Sequence, residues 1–299
     1  MEYATVCSGI EAPSVAWEPL GWKPVFFSEI ETFPSKVLAT HYPDVPNLGD
    51  MNLIDGTKYN GTIKLLCGGT PCQSFSVAGL RKGMDDPRGN LALVFLRIVD
   101  QARPKWVVWE NVPGVLSSNG GRDFGAILGG LAELGYGWAY RVLDAQYFGV
   151  PQRRRRVFLV GCLGNWQAAS AVLFEQASLR GEVKANPNGR VFKQQQSKVN
   201  SGAFYRFQRS DKFVIDTKSS TLSARDFKDF RDVYVNPYGV RGLTPLEYER
   251  LQGFPDNYTN IPGSKDGPRY KALGNSMAVP VLKWIGERID LIDKILNKQ

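Results

Sequence analysis

Short apolar runs alternate with amphipathic stretches through the first half of the chain. Strands are predicted at residues 3–7, 24–28, 64–68, 106–110 and 157–161, and helices at 13–21, 31–42, 91–102 and 124–134. Strands that alternate with helices are typical of a parallel sheet with helices on both faces. Ligands of such sheets bind at the carboxyl ends of the strands, so the residues that follow each strand are the first candidates for a site.

The alternation stops after the last of these strands. Residues 164–232 are irregular, and basic and aromatic side chains interleave at 205–209. Helical patterns return at 245–252 and 279–296. We therefore expect two domains, a larger α/β domain over residues 1–163 that is completed by residues 270–299, and a smaller, loop-rich domain over residues 164–269.

The composition narrows the class of protein. Hydrophobic residues make up 43% of the 299, enough for a large core, so a disordered chain is excluded. The net charge of +8 suits a polyanionic partner. No apolar run approaches the roughly 18 residues of a membrane span, and the first residues lack the basic region of a secretion signal, so we expect a cytoplasmic protein.

The residue types of most metal sites and many hydrolytic sites are scarce. His41 is the only histidine, which excludes a multi-histidine metal site and leaves a Ser-His-Asp triad only if His41 itself serves. The four cysteines have no zinc-ligand spacing. We expect no metal, and chemistry that depends on cysteine, carboxylates, arginine or a cofactor.

The turns after the first strands suit a nucleoside. The turn at Gly9 lacks the G-x-G-x-x-G fingerprint of diphosphate binding. Glu29 closes the second strand, where an acidic residue typically accepts hydrogen bonds from ribose hydroxyls. Asp50 follows a further turn and could bind an adenine amino group. A nucleoside cofactor without a diphosphate fits, and S-adenosylmethionine is one; a plain turn with a solvated Glu29 is the alternative.

Two reactive side chains follow the next strands. Cys72 comes just after a buried strand and a Gly-Gly-Thr-Pro turn, although a thiol needs activation to act as a nucleophile near neutral pH. Inert packing is the alternative for a buried cysteine, and it suits Cys7, Cys67 and Cys162. Glu110 closes the fourth strand, and a desolvated carboxyl there can donate a proton.

An arginine run precedes the last predicted strand. Gln152 is followed by four arginines at 153–156. Alternate residues of a strand share a face, so Arg154 and Arg156 point one way while Arg153 and Arg155 point the other. One pair could line the site and the other face solvent or phosphate; a solvated patch is the alternative.

In their order along the chain, these motifs resemble those of the C5-cytosine-specific DNA methyltransferases of bacteria and phages. Residues 68–76 resemble the family's nucleophile loop, and residues 110–112 match its Glu-Asn-Val motif. Gln152, Arg154 and Arg156 match Gln-x-Arg-x-Arg. Residues 243–255 and 274–276 resemble two late motifs, so that only the variable middle of the chain has no match.

The resemblance implies a Rossmann-like, S-adenosylmethionine-dependent methyltransferase sheet with a smaller, irregular target-recognition domain. The first motif departs from the family pattern, since Cys7, Glu11 and Ala12 stand where a phenylalanine and paired glycines are usual. This departure concerns the pocket for the methionine part of the cofactor.

The catalytic roles also come from the resemblance. The Cys72 thiolate attacks C6 of a flipped cytosine, Glu110 holds or protonates N3, and Arg154 contacts the base. The methyl group then passes from S-adenosylmethionine to C5. Gln152 and Arg156 complete the catalytic set.

The same resemblance supplies the binding residues. The cofactor set is Cys7, Gly9, Ile10, Glu29, Ile30, Asp50, Met51, Pro71, Leu91, Asn275 and Met277. Residues 73–89 resemble the loop that closes over the flipped base, Thr221 a phosphate contact and Arg225 a reader of base edges, with a solvated loop as the alternative for Arg225. The set expected to bind double-stranded DNA is Gln73, Ser76, Arg81, Lys82, Arg88, Arg153, Arg155, Thr221 and Arg225.

Three other functions stay open. The first is the tRNA-methylating branch of the family, the second an inactive DNA-binding relative, and the third a nucleotide-dependent dehydrogenase, which would need the missing diphosphate fingerprint. We expect a monomer, with a cognate restriction endonuclease as an open partner.

Overall fold

The structure is a computed structural model. It describes residues 1–71, 91–174, 203–207, 213–216, 218–223, 232–236 and 239–298.

The strands of the first region are β1 (Glu2–Val6), β2 (Lys23–Phe26), β3 (Leu65–Gly68), β4 (Trp106–Asn111), β5 (Tyr136–Asp144) and β6 (Arg155–Leu163). They form a sheet in the order β2-β1-β3-β4-β6-β5. The pairs among β1–β4 are parallel, whereas β6 is antiparallel to both β4 and β5. The prediction of a parallel sheet is therefore wrong for β5 and β6, and β5 was not predicted. Residues 145–154 join these two strands without a crossover helix, and such short connections join antiparallel strands.

Helices cover both faces of this sheet. They are α1 (Ala12–Trp17), α2 (Thr32–His41), α3 (Leu91–Ala102), α4 (Arg122–Glu133), α5 (Trp166–Leu173), α6 (Pro245–Gln252), α7 (Asp266–Asn275) and α8 (Val279–Leu296). Side chains of β4 alternate between two core clusters, one beneath α3 and α4 and the other beneath α1, α5 and α8. This confirms the α/β class. In the part of the chain that the structure describes, no helix combines the length and the apolar character that a membrane crossing requires.

The smaller region contains strands that the sequence pattern did not predict. They are β7 (Ala203–Phe207), β8 (Phe213–Asp216), β9 (Asp232–Asn236) and β10 (Gly239–Gly242), and all of their pairs are antiparallel. Helix α5 lies within residues 164–269 in sequence but packs on the first sheet, and Arg288 of α8 donates to its Ala171 carbonyl. We propose that the first domain extends through α5; the rest of the predicted division stays a prediction.

The turn between β1 and α1 has a conformation that side chains usually avoid. Gly9 and Glu11 have φ of 57° and 62°. The fully buried Glu11 carboxylate caps α1 by accepting hydrogen bonds from the Ser14 amide (3.2 Å), the Ser14 hydroxyl (2.6 Å) and the Thr5 hydroxyl. Thr5 is also hydrogen-bonded to the Ser8 hydroxyl at 2.7 Å. This buried network therefore holds the backbone on either side of Gly9.

A buried ion pair fixes the loop between α6 and α7. Glu249 of α6 is fully buried and accepts hydrogen bonds from the amides of Asn257 (2.7 Å) and Thr259 (2.8 Å). Arg269 of α7 lies 3.3 Å from the same carboxylate. The carboxylate is thus satisfied from several sides, as a buried charge must be.

The C-terminal helices close on the first half of the chain. Trp17 Nε1 of α1 donates to the Leu282 carbonyl of α8 at 2.9 Å. The ring of His41 stacks on Tyr258 with centroids 4.0 Å apart, and its Nε2 lies 2.8 Å from the Tyr258 carbonyl oxygen. These contacts bring helix α8 and the loop between α6 and α7 back to the first half of the chain.

Replacement of Gly286 by alanine is expected to destabilise the fold. A Cβ atom there would lie 2.4 Å from the Trp17 indole, which is itself held by a hydrogen bond. Such overpacking costs about 1–3 kcal/mol. Gly129→Ala on α4 is the control, since a Cβ atom there meets open space. Alanine is about 1 kcal/mol more favourable than glycine inside a helix, so this variant should not be destabilised. Urea unfolding measures both; a Gly286→Ala protein as stable as wild type would contradict the packing.

Replacement of Glu11 by glutamine is expected to remove a pH dependence of stability. Burial raises the pKa of Glu11 to about 7, although hydrogen bonds from Ser14 and Thr5 oppose the rise. The unfolded group ionises near 4.5, so between these values only the folded state holds the proton, and stability falls as pH rises. From pH 5 to pH 8 the wild type should lose about 2 kcal/mol relative to Glu11→Gln. Urea unfolding across this range measures the loss; parallel curves would refute it.

Candidate active site

The site lies at one edge of the sheet because of the strand directions. β1, β2, β3 and β4 are parallel, so their carboxyl ends meet at this edge. β6 is antiparallel to β4, with Val157 opposite Asn111, so its amino end lies there as well. The residue that precedes Val157 is Arg156, and its Nε lies 3.0 Å from Glu110 Oε1.

A cleft lies at this edge. Its walls are the turn after β1, the end of β3, Glu110 and the segment after α7. Five predicted site residues line it, namely Cys7, Gly9, Glu110, Asn275 and Met277. The lining residues that were not predicted are Thr5, Val6, Ser8, Ala12, Pro13, Cys67, Gly68, Gly69 and Ser276.

The unpredicted lining residues are neighbours of predicted ones. Gly68 and Gly69 lie within the motif that leads to Cys72, and Ser276 follows Asn275. Thr5 is a polar residue inside an apolar strand, which is a signal that could have pointed to it. The lining is therefore set by turns at the ends of strands, where the backbone itself forms the wall.

Glu110 and Arg156 form a largely buried ion pair. Their side chains are 12% and 14% exposed. Burial raises the pKa of Glu110, while the charges of Arg156 and Arg154 oppose the rise. The carboxyl can therefore act as a hydrogen-bond donor or as an acceptor within the cleft.

The chain before Cys72 is held against the end of β4. Asn111 Nδ2 donates to the Thr70 carbonyl at 2.8 Å, and Trp109 Nε1 donates to the Thr70 hydroxyl at 3.0 Å. A Cβ atom on Gly69 would lie 3.1 Å from Glu110 Oε2, so the absence of a side chain allows this close approach. The predicted residues that lie outside the described residues are Cys72, Gln73, Ser76, Arg81, Lys82, Arg88 and Arg225.

Two carboxylates and two exposed apolar side chains lie beyond the turn of β1. Glu29 is half-buried and accepts a hydrogen bond from Gly9 N at 2.8 Å. The Ser28 hydroxyl donates to the Gly49 carbonyl at 2.7 Å, which draws the exposed Asp50 to the same side. Ile30 is 74% exposed and Leu53 is 82% exposed. Apolar surface beside carboxylates suits a nucleoside, which has a flat base and hydroxyl groups.

Cys7 is a neutral thiol in this neighbourhood. Its Sγ lies 3.6 Å from Met51 Sδ. Burial, and then the charges of Glu29 and Asp50, raise the pKa of Cys7 to about 12. A thiol that ionises this reluctantly is a poor nucleophile near neutral pH.

The other predicted cofactor residues support the cleft without lining it. Ile10 is fully buried, and its carbonyl accepts a hydrogen bond from the Tyr258 hydroxyl at 2.9 Å. Met51 is buried, Pro71 is exposed and Leu91 is half-buried at the start of α3. Their contacts with a cofactor stay predictions.

Arg154 and Gln152 are both buried and hydrogen-bonded to main-chain carbonyls, whereas the resemblance implies that Arg154 contacts the base. Arg154 is 3% exposed and donates to three main-chain carbonyls, those of Leu222 (3.2 Å), Gly274 (3.1 Å) and Ser276 (2.6 Å). Gln152 is fully buried, and its Nε2 donates to the Leu251 carbonyl at 2.9 Å. The register of β6 brings Arg156, and not Arg154, to the Glu110 carboxylate.

The predicted DNA-binding side chains within the described residues lie near the surface. Arg153 and Arg155 are exposed while Arg154 is buried, as the alternation along a strand predicts. The Thr221 hydroxyl donates to the Arg153 carbonyl at 2.5 Å, so a phosphate contact from this hydroxyl would require it to exchange partners. Over the described ranges, no group of three or more histidine, cysteine, aspartate or glutamate side chains could hold a metal ion.

Comparisons with solved structures agree with the fold. A methyltransferase of Entamoeba histolytica, EhMeth, has a TM-score of 0.67 at 16% identity over 99% of this chain and 98% of that one. The S. pombe Dnmt2 methyltransferase has a TM-score of 0.67 at 17% identity over 99% of each chain. At these identities the likeness concerns the fold.

Similar sequences come from bacteria and phages. A protein of Escherichia phage P1 named DNA N-6-adenine-methyltransferase is 34% identical over 460 residues, which cover 96% of this chain; the chain spans 61% of that relative's length. The type II methyltransferase M2.BsuMI of Bacillus subtilis is 30% identical over 97% of this chain and 75% of its own length. M.HpaII of Haemophilus parainfluenzae is 32% identical over 97% of this chain and 88% of its own length.

A family model agrees with these relatives. The model for C-5 cytosine-specific DNA methylases matches residues 1–201 and 171–290, which together span nearly the whole chain. The chain therefore belongs to the C-5 cytosine-specific DNA methylase family.

Proposed function

We propose that the protein is a DNA (cytosine-5-)-methyltransferase that methylates cytosine within a short duplex sequence. The observation that carries this proposal is the Glu110–Arg156 pair, whose Glu110 lines the same cleft as the turn of β1. The chain that leads to Cys72 is anchored beside this pair through Thr70. Activation of a pyrimidine ring requires a thiol, a carboxyl and a guanidinium, and the carboxyl of Glu110 and the guanidinium of Arg156 lie together at this edge.

The proposed reaction begins with activation of the ring. Cytosine C5 is a poor nucleophile. The Cys72 sulfur forms a bond to C6, and the electron pair of the 5,6 double bond moves to C5. Glu110 donates a hydrogen bond or a proton to N3, a role that suits a carboxyl whose pKa is raised by burial. Arg156 holds this carboxyl in place through its ion pair.

The cofactor supplies an electrophilic methyl group on a sulfonium centre. C5 would form the new carbon–carbon bond to this methyl group as the bond between the methyl group and the sulfonium sulfur breaks. The proton on C5 then leaves to a base, the bond between sulfur and C6 breaks, and its electrons restore the double bond. The products are 5-methylcytosine, free Cys72 and S-adenosylhomocysteine.

The described residues fit S-adenosylmethionine. Glu29 would accept hydrogen bonds from the ribose hydroxyls, and Asp50 would bind the adenine amino group. Ile30 offers an exposed apolar surface to the adenine ring. Gly9 and Asn275, which line the cleft, would bind the methionine part.

Duplex DNA is the proposed substrate. The family description names DNA, and the net charge of +8 favours a polyanion. Arg153 and Arg155 are exposed beside the site, where they would contact phosphates. The target base must leave the stack to enter the cleft, at a cost of a few kcal/mol. A monomeric state and a cognate restriction endonuclease stay predictions.

The name of the phage P1 relative raises adenine as a second target. The amino group of adenine is itself a nucleophile once its proton is lost, so its methylation gives Cys72 and a raised-pKa carboxyl no task. The chain also spans only 61% of that relative. We therefore favour cytosine, and the experiment below distinguishes the two.

Expression of the protein is expected to produce 5-methylcytosine in one short DNA motif. The host should lack its own DNA methylation, and base-resolution sequencing should be combined with mass spectrometry of nucleosides. Cys72→Ala should abolish the signal because no bond to C6 can form. Glu110→Gln should reduce the rate at least 100-fold, in the range of general acid catalysis. N6-methyladenine in place of 5-methylcytosine, or full activity of Cys72→Ala, would refute the proposal.

The purified protein is expected to methylate duplex DNA in preference to tRNA. Transfer of a radiolabelled methyl group to each substrate measures the preference. We expect Arg153 and Arg155 to contact phosphates. The double variant Arg153→Gln/Arg155→Gln should therefore bind DNA more weakly, and the slope of log affinity against log salt concentration should decrease by the equivalent of about two phosphate contacts. Methylation of tRNA alone would establish the RNA branch, and binding of DNA without transfer would indicate an inactive relative.

A further inference from the structure

Arg154 joins two segments that are far apart in sequence. Its guanidinium is buried, and Nη1 donates to the Leu222 carbonyl at 3.2 Å. Nη2 donates to the carbonyls of Gly274 at 3.1 Å and Ser276 at 2.6 Å. Leu222 lies beside Thr221, a proposed phosphate contact, whereas Gly274 and Ser276 flank Asn275 in the wall of the cofactor cleft.

The segment that contains Leu222 is fastened along the approach to β6. The Ser219 amide donates to the Pro151 carbonyl at 2.9 Å, and the Arg153 amide donates to the Ser219 carbonyl at 3.0 Å. A shift of this segment would therefore also move Arg153, one of the exposed arginines of the proposed DNA surface. Residues 218–223 do not line the cleft, so contact with the cofactor does not order them directly.

A buried guanidinium depends on the few groups that solvate it. Burial lowers the pKa of Arg154, which means that the charged form is held at a cost. Three neutral carbonyls supply its hydrogen bonds, and its Nε has no partner among the described residues. If either segment moved away, the buried charge of Arg154 would keep fewer hydrogen-bond acceptors. Both segments are therefore expected to hold their positions together.

We infer that Arg154 is a positioning residue that couples cofactor binding to DNA binding. The inference rests on the proposed function, because it takes S-adenosylmethionine and duplex DNA as the two ligands. A cofactor bound against Asn275 fixes the carbonyls of Gly274 and Ser276, and the guanidinium is then already directed at Leu222. DNA binds a segment that needs less ordering, and the effect is reciprocal.

The coupling is measured as the change in DNA affinity caused by the cofactor product. The dissociation constant of a duplex that carries the methylated motif is determined with and without saturating S-adenosylhomocysteine, which transfers no methyl group. The wild type should bind the duplex at least about fivefold more tightly with the product. In Arg154→Lys each ligand should still bind, but the ratio should fall to about one, because an ammonium is a point charge that cannot span both segments.

Arg103→Lys is the matched control. Its Nη1 donates to a single main-chain carbonyl, that of Leu134, at 2.8 Å, near the opposite edge of the sheet. This variant should keep the wild-type ratio. A wild-type ratio of one, or a wild-type ratio retained by Arg154→Lys, would overturn the inference while leaving the proposed function intact. A wild type that binds neither ligand would overturn the proposed function and the inference with it.

Hydrogen exchange tests the inference without a variant, in case Arg154→Lys does not fold. S-adenosylhomocysteine alone, added to the wild-type protein, should slow amide exchange in peptides that cover residues 218–223. These residues do not line the cleft, and Arg154 joins Leu222 to the carbonyls of Gly274 and Ser276, so protection there reports the coupling. Slowed exchange at residues 274–277 with unchanged exchange at 218–223 would show that the product binds and that the two segments are independent.

Discussion

The antiparallel pairing of β6 with β4 is the constraint on which the candidate site depends. If β6 ran parallel to β4, the residues that precede β6 would lie at the opposite edge of the sheet, far from the carboxyl ends of β1–β4. The reversal places Val157 opposite Asn111 and so brings Arg156 to the Glu110 carboxylate. One change of strand direction thus collects an acid, a guanidinium and the cofactor turn on one side of the molecule.

Buried ionisable side chains hold the connections around this edge. Glu11 shapes the turn at Gly9, Glu249 fixes the loop between α6 and α7, and Arg154 holds carbonyls from two segments. Each of these groups costs free energy to bury and is satisfied by hydrogen bonds: Glu11 by Ser14 and Thr5, Glu249 by two loop amides and Arg269, and Arg154 by three main-chain carbonyls. Apolar packing fills the two faces of the sheet, but it leaves loop positions less defined. Directional hydrogen bonds to buried ionisable side chains define them.

The sequence predicts the regular elements well where periodicity is strong. The helix bounds 91–102, 245–252 and 279–296 coincide with the structure. β5 escaped prediction because its aromatic and polar residues follow a helix without a clear boundary beyond Gly135. The strands of the smaller region are short and lie in a part of the sequence without clear hydrophobic periodicity. Alternation along β6 places Arg154 and Arg156 on one side, yet only the register against β4 decides which of the two meets Glu110. The alternation of side chains along one strand does not determine this register, because the register depends on how two distant segments of the chain pair.

The stacking of His41 on Tyr258 has a practical consequence. Because the chain has one histidine, its imidazole produces a single set of ring-proton resonances that needs no assignment. Ring currents make those chemical shifts steeply dependent on the distance and tilt of the tyrosine. The Tyr258 hydroxyl in turn donates to the Ile10 carbonyl, in the turn that walls the cleft. The molecule therefore carries a natural magnetic resonance reporter at the seam between its amino-terminal sheet and its carboxyl-terminal helices.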